Sequence, residues 1–173
     1  QPIDRVRDGY LPSVGAENHA ISGVTWRAAR DYCRWAGKRL PTEAEFECAA
    51  RGVAGRNFPW IEGGPNCERA NYFTGATSCL RGVANVGERA SGSTPEGVLD
   101  LAGNVAEWVA DDYLPYSAEP QSNPRVNIGS PMKVVRGGGF RDSARSLRNH
   151  ARRALRADRR SDNVGFRCAY REG

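Results

Sequence analysis

Five cysteines and two histidines are the residues in this chain best suited to metal or redox chemistry: Cys33, Cys48, Cys67, Cys79, Cys168, His19 and His150. No two cysteines stand as C-x-x-C, which argues against zinc. Well-separated cysteines without a redox motif fit disulfides and an exported protein. Their odd number leaves at least one thiol free or paired outside the chain. A facial iron triad needs two histidines and a carboxylate converging, so it would consume both His19 and His150. Each alone reads as a surface or hydrogen-bonded residue. No Ser-His-Asp or Cys-His pattern is present, and no phosphate-cradling glycine loop follows a clear strand. The remaining chemical feature is charge. The net charge is +5, and Arg136 to Gly173 holds eleven arginines and no lysine against Asp142, Asp158, Asp162 and Glu172. A basic patch is the footprint of nucleic-acid binding, yet no recognition helix, aromatic platform or zinc spacing accompanies it. Arginine therefore reads as the surface and ion-pair residue of this chain, and a nucleic-acid partner is not expected.

The elements that position these residues are short. The 173 residues fit one domain with a real core. Gly 20 and Pro 10 predict many turns and few long elements. No run approaches the roughly 20 apolar residues of a membrane span, and no apolar signal segment is seen. Residues 1–22 lack periodicity and read as an extended lead-in. Beginning at Gln1, the chain is expected to be processed or cut from something longer. Thr25 is a good N-cap for a helix through Trp26, Ala29, Tyr32, Cys33 and Ala36, stopped by Gly37. Thr42 and Glu45 form a capping box for a second helix that ends near Gly52. Beyond it the chain is irregular. Phe58-Pro59-Trp60 reads as a buried aromatic corner, Val83 to Val86 as a possible short strand, and Tyr113 to Ile128 as a surface loop. Lys133 to Arg136 and Val164 to Tyr170 alternate like strands and should pair in one sheet.

Four segments, GVTWRAARDYCRWAGKRLPTEAEFECAARG, FPW, GVLDLAGNVAEWV and VVRGGGF ending in GFRCA, resemble in order and content the formylglycine-generating enzyme family, the sulfatase-modifying factor domain. The resemblance covers 23–173 and implies an α+β, C-type-lectin-like, loop-rich fold of two helices plus short antiparallel strands. The family's usual N-terminal section, with strands and a helix, is expected to be deleted or supplied by another chain.

The resemblance also implies the chemistry. Family enzymes bind copper through two cysteines between the RGG and GFR motifs and oxidise a substrate cysteine to formylglycine. Here that stretch reads FRDSARSLRNHARRAL. One ligand position falls near Ala144 and the other between Gly139 and Asp142. Thiolates select Cu(I), and arginine, serine and alanine do not replace them. The pocket serine of RGGS is Gly139, and the aromatic of GNxWEW is Ala106. Catalysis is therefore not expected. DLAGNVAEW resembles the family calcium site, with Asp100 and Glu107 giving side-chain oxygens and Gly103 and Val105 carbonyls, the hard donors calcium takes. The bland alternative is a tight turn with a salt-bridged Glu107. A second family calcium site would use Asn71 and the Tyr72 carbonyl. Cys33 and Cys168 match a family disulfide, while Cys67 and Cys79 are a plausible local bridge outside that scheme. Cys48, whose usual partner position is Asn149, is expected to be a free buried thiol. Arg136 and Arg167 are expected to pair with carboxylates such as Asp100 or Glu45.

These readings point to a non-catalytic, calcium-stabilised, extracytoplasmic domain that binds a protein, peptide or glycan in the former active-site groove. The expected binding face is Arg141, Asp142, Ser143, Arg145, Ser146, Arg148, Asn149 and His150, with Trp108 and Tyr113 nearby. One alternative is a superfamily oxygen- and metal-dependent oxidase active with another domain or chain. Others are a variable ligand-binding protein of a diversity-generating retroelement and a subunit of an envelope assembly.

Overall fold

The computed structural model describes residues 3–6 and 9–170, with side chains from Pro12 onward. The segment read as a lead-in contains a hairpin, β1 (Ile3–Val6) antiparallel to β2 (Gly9–Pro12), so it is not merely extended. Residues 1, 2, 7, 8 and 171–173 of the two expected segments lie outside the described residues.

Helix α1 (Trp26–Trp35) starts where Thr25 accepts the Ala28 amide at 3.2 Å. It buries Trp26, Ala29 and Cys33. Helix α2 (Glu43–Arg51) carries the full capping box. Thr42 accepts from the Glu45 amide at 3.1 Å, and Glu45 accepts from the Thr42 amide at 2.7 Å. It buries Phe46 and Ala50.

Both helices pack on a four-stranded sheet ordered β5-β4-β3-β6, made of β3 (Ala106–Asp112), β4 (Met132–Arg136), β5 (Arg152–Arg156) and β6 (Val164–Phe166). β6 runs parallel to β3, and the other pairings are antiparallel. The two strands expected to pair do share this sheet, but β3 lies between them and pairs with both. Val83 to Val86 makes only an isolated bridge, His19 to Asn85. Every residue of β3 is buried, because helices and loops cover both of its faces. Trp26 and Trp108 lock α1 onto this strand region, each indole donating to a carbonyl: Trp26 to Val109 at 2.7 Å and Trp108 to Val24 at 3.1 Å. A third apolar cluster, Trp60, Ala70, Tyr72, Ala102 and Leu147, holds the irregular half. Phe58 stacks on Trp60 at 5.1 Å, the expected aromatic corner.

Two disulfides form, Cys33–Cys168 and Cys67–Cys79. Cys48 is free, but it is exposed rather than buried. It faces outward from α2, and its expected partner position, Asn149, is buried and turned toward the backbone. The Asn149 amide donates to the carbonyls of Ala50 (2.9 Å) and Arg56 (3.1 Å).

Candidate functional site

Three places concentrate polar side chains. The first is the strip that follows β4. Gly139 sits where no side chain fits: a Cβ would collide with Asn163 Oδ1 and stand 2.7 Å from the Asn163 carbonyl. Asn163 is itself fixed, its amide donating to Asp142 at 2.8 Å and its Oδ1 accepting from the Arg141 amide at 3.0 Å. Asp142 also accepts from the Gly139 amide at 2.9 Å and pairs with Arg153 at 3.2 Å. Only a cavity of 50 Å³ remains beside Gly137, Gly138 and Ser146. Room for about one small molecule is left at best.

Of the expected binding face, Arg141, Ser143, Arg145, Arg148 and His150 are exposed. Arg141 pairs with Asp162. Ser146 is half-buried. Two members do not belong to that face. Trp108 is 0% exposed inside the α1–sheet core, and Asn149 is 4% exposed with its amide spent on backbone. Both lie near that face in sequence, but packing turns them inward. Tyr113 lies under the Arg152 guanidinium, 4.5 Å from its ring centre.

The second place is the turn from Asp100 to Glu107. Asp100, Gly103 and Asn104 have φ of 57°, 84° and 65°. Gly103 tolerates no side chain, since a Cβ would lie 2.8 Å from the Asn71 carbonyl. Asn104 ties three loops together. Its side chain accepts from the Ala84 amide (2.7 Å) and donates to the Ala84 carbonyl (3.1 Å), and its carbonyl accepts from Phe140 (2.9 Å).

Glu107 accepts two bonds of 2.6 Å from Arg167, which also donates to the carbonyls of Leu99 (3.1 Å) and Asp100 (2.9 Å). Burial disfavours the Arg167 charge, but Glu107 more than offsets it and raises the pKa. Asp100 accepts from the Gly87 amide at 2.7 Å. A carboxylate oxygen offers two lone pairs, so a hard cation at Glu107 would share its oxygens with Arg167. The donor types fit calcium, although among the described residues no three His, Cys, Asp or Glu side chains gather.

The residues of the expected second calcium site lie inside the Cys67–Cys79 loop and are bonded to the segment that closes it, Cys79 to Gly82. Asn71 donates to Gly82 O (2.8 Å) and accepts from the Leu80 amide (3.0 Å), while Tyr72 O accepts from Cys79 N (3.0 Å).

The third place was not legible from spacing. Glu43, in the first turn of α2, accepts from Arg136 (2.7 Å), from Arg152 (2.8 and 2.6 Å) and from the Tyr116 hydroxyl (3.0 Å). Arg136 reaches on to Glu47 at 2.8 Å. Burial, with Glu43 adding to it, pushes the Tyr116 hydroxyl up. The arginine expected to find Asp100 or Glu45 thus finds Glu43 and Glu47, because Arg39 already holds Glu45 at 2.6 and 2.7 Å. Beside this hub a cleft of 590 Å³ opens between α2 and the Tyr113–Ile128 loop.

The model of the sulfatase-modifying factor enzyme 1-like domain matches residues 4–172, nearly the whole chain. This chain belongs to that family. It is 38% identical over 172 residues to the formylglycine-generating enzyme of Streptomyces coelicolor, a match covering 90% of this chain and 54% of that protein. It is also 38% identical over 167 residues to the inactive C-alpha-formylglycine-generating enzyme 2 of Bos taurus, covering 87% and 50%. Among solved structures, PvdO from Pseudomonas aeruginosa superposes with a TM-score of 0.73 at 27% identity, covering 86% of this chain and 60% of that one. The chain spans about half the length of these two curated relatives. Equal identity to an enzyme and to a protein named inactive means that overall similarity does not decide activity. The α+β, C-type-lectin-like fold of the family is the fold of this chain, and its two helices, its mixed sheet and the loops between them carry the four motifs.

Proposed function

We propose that this family member is a non-catalytic, calcium-stabilised binding domain of an extracytoplasmic protein, which holds a protein, peptide or glycan. One observation carries the reading. The position of the family's pocket serine, Gly139, is closed by Asn163, and the strip after it offers no sulfur to a Cu(I) ion. Among the described residues the only free thiol is Cys48, on the outer face of α2. The two disulfides support an oxidising compartment.

The test is to incubate the purified chain with Cu(I), oxygen and a cysteine-containing peptide. No aldehyde should form. Aldehyde product, or stoichiometric copper or iron in the purified protein, would overturn the reading in favour of an oxidase.

Calcium is proposed at Asp100 and Glu107, with the Gly103 and Val105 carbonyls completing the donors. Ligand at about 100 times its Kd adds about 2.7 kcal/mol of stability. For a domain of this size that amounts to roughly 5–10 °C in Tm. Chelation should lower Tm by about this much, and Asp100→Asn should shrink the calcium-dependent shift. A Tm unmoved by chelator and by added calcium would instead leave Arg167 as the sole cation at Glu107.

A further inference from the structure

The outward side of α2 carries a trough in two adjoining halves, of 690 Å³ and 590 Å³, which share Ala44, Cys48 and Pro124 as lining residues. Its charges are unequal. The first half is bounded by Arg30, Arg34, Arg39 and Arg125 against a single carboxylate, Glu45. Arg39 is taken by Glu45, and Arg30 pairs with Asp31 at 2.8 Å. Arg34 and Arg125 are exposed and make no ion pair among the described residues. The floor beneath them is apolar, Trp26 and Leu40. In the second half, Leu114, Pro115, Tyr116 and Val126 line one side. Four carboxylates stand there: Glu43 and Glu47 are neutralised by Arg136, Arg152 and Arg51, Asp111 accepts the Glu43 and Val126 amides at 2.7 Å each, and the exposed Glu119 makes no ion pair among the described residues, so the positive excess is confined to the first half.

We infer that this trough binds an extended acidic peptide. Its carboxylates meet Arg34 and Arg125, and an apolar segment follows along the Tyr113–Ile128 loop. The inference rests on the binding-domain reading and names its ligand class and its location, which is not the strip after β4. Guanidinium groups without partners match carboxylates in fork geometry. Each half is the size of a cleft that encloses a drug-sized ligand. Two such halves in line suit a chain at about 3.3 Å per residue better than a single compact ion. An apolar second half is a poor match for a uniformly polar saccharide. Two cations without an ion pair, one of them already in the field of Asp111, are too few for a nucleic-acid backbone.

The probe is a fluorescein-labelled octapeptide of four glutamates followed by alternating leucine and serine, read by fluorescence anisotropy against the whole chain. Saturable binding that weakens as salt rises is expected. The double variant Arg34→Glu/Arg125→Glu should lose at least about tenfold in affinity, because it removes two charge-assisted contacts and sets like charge against the glutamates. Both positions are exposed, so the fold should persist, and circular dichroism would check it. Arg159→Glu, an exposed position outside the trough, should bind as the parent does.

Equal affinity for a peptide with lysines in place of the glutamates, or undiminished binding by the double variant, would overturn the inference. So would binding of a heparin-derived disaccharide with none of the peptide, which would assign the trough to a glycan while leaving the domain non-catalytic. Copper-dependent aldehyde formation on a thiol peptide is a separate outcome. It removes the binding-domain reading without touching affinity at the trough.

Discussion

Replacing Glu43 with leucine is expected to lower the unfolding free energy by about 3–5 kcal/mol, the cost of stranding buried charge. Arg136 is 0% exposed at its side chain and Arg152 13%, and both lean on this one carboxylate. The Arg136 Nε has no partner at all, so its guanidinium depends on Glu43, Glu47 and the Asn149 carbonyl. Without Glu43, Arg136 keeps the half-buried Glu47, while Arg152 keeps no carboxylate, only the Leu114 carbonyl at 2.7 Å and the faces of Tyr113 and Tyr116. Thermal denaturation should register a Tm drop of about 6–20 °C, and urea denaturation a matching fall in midpoint. Glu47→Gln should cost less than about 1–2 kcal/mol, because that carboxylate is 25% exposed and shares its charge with the more exposed Arg51. Adding Arg136→Met and Arg152→Leu to the Glu43→Leu change should recover part of the loss, because a wholly apolar cluster has no orphan charge. Equal losses for Glu43→Leu and Glu47→Gln would show that Glu43 is not the hub.

The helices were legible because their ends are written locally. Thr25, Gly37 and the Thr42–Glu45 box each act within four residues, and the structure places both helices between those marks. β3 was not legible because alternation needs one wet face. Ala106–Asp112 is buried along its whole length, so Glu107, Asp111 and Asp112 interrupt an apolar run without marking a solvent side. Their charges are absorbed individually: Glu107 by Arg167, Asp112 by Lys133, and Asp111 by the amides of Glu43 and Val126 at 2.7 Å. Burial nonetheless pushes the Asp111 carboxyl up. β5 was missed for the opposite reason: RRALR is an arginine-rich edge strand with no hydrophobic face to read.

At the candidate site, the glycine at 139 and the lack of any cysteine between Cys79 and Cys168 are plain from residue identity. What packs against that glycine is not. Asn163 stands 24 residues after Gly139, and only the turn before β6 brings its side chain against that glycine. The Glu43 hub joins residues 93 and 109 positions apart, and no local pattern encodes such a pairing. Arg136 and Arg167 were correctly read as ion-pair residues, but partner choice is a tertiary outcome. Arg39, nearer in sequence, had already taken Glu45.

Removing the Cys33–Cys168 bridge is expected to have an effect at least as large. The two cysteines are 135 residues apart, so the bond ties α1 to the segment just after β6 and closes most of the chain into one loop. Loop-closure entropy for that length amounts to about 5 kcal/mol, against about 3 kcal/mol for the 12-residue separation of Cys67 and Cys79. Burial adds to the difference, since Cys33 is 0% exposed within the core that holds Trp26, Trp108 and Val164. Alanine there also leaves a small cavity. Urea unfolding of Cys33→Ala/Cys168→Ala and Cys67→Ala/Cys79→Ala should therefore rank the first pair as the costlier by about 2 kcal/mol or more. With a total stability of about 5–15 kcal/mol typical of such domains, the first variant should be marginal at 37 °C and the second folded. Mild reductant should open the Cys67–Cys79 bridge first, because Cys67 is exposed and Cys33 is not. If the two variants lost equal stability, loop length would not be what stabilises this fold. The Arg167–Glu107 pair, which anchors the residue next to Cys168 to β3, would then be the tie that holds the C-terminal segment in place.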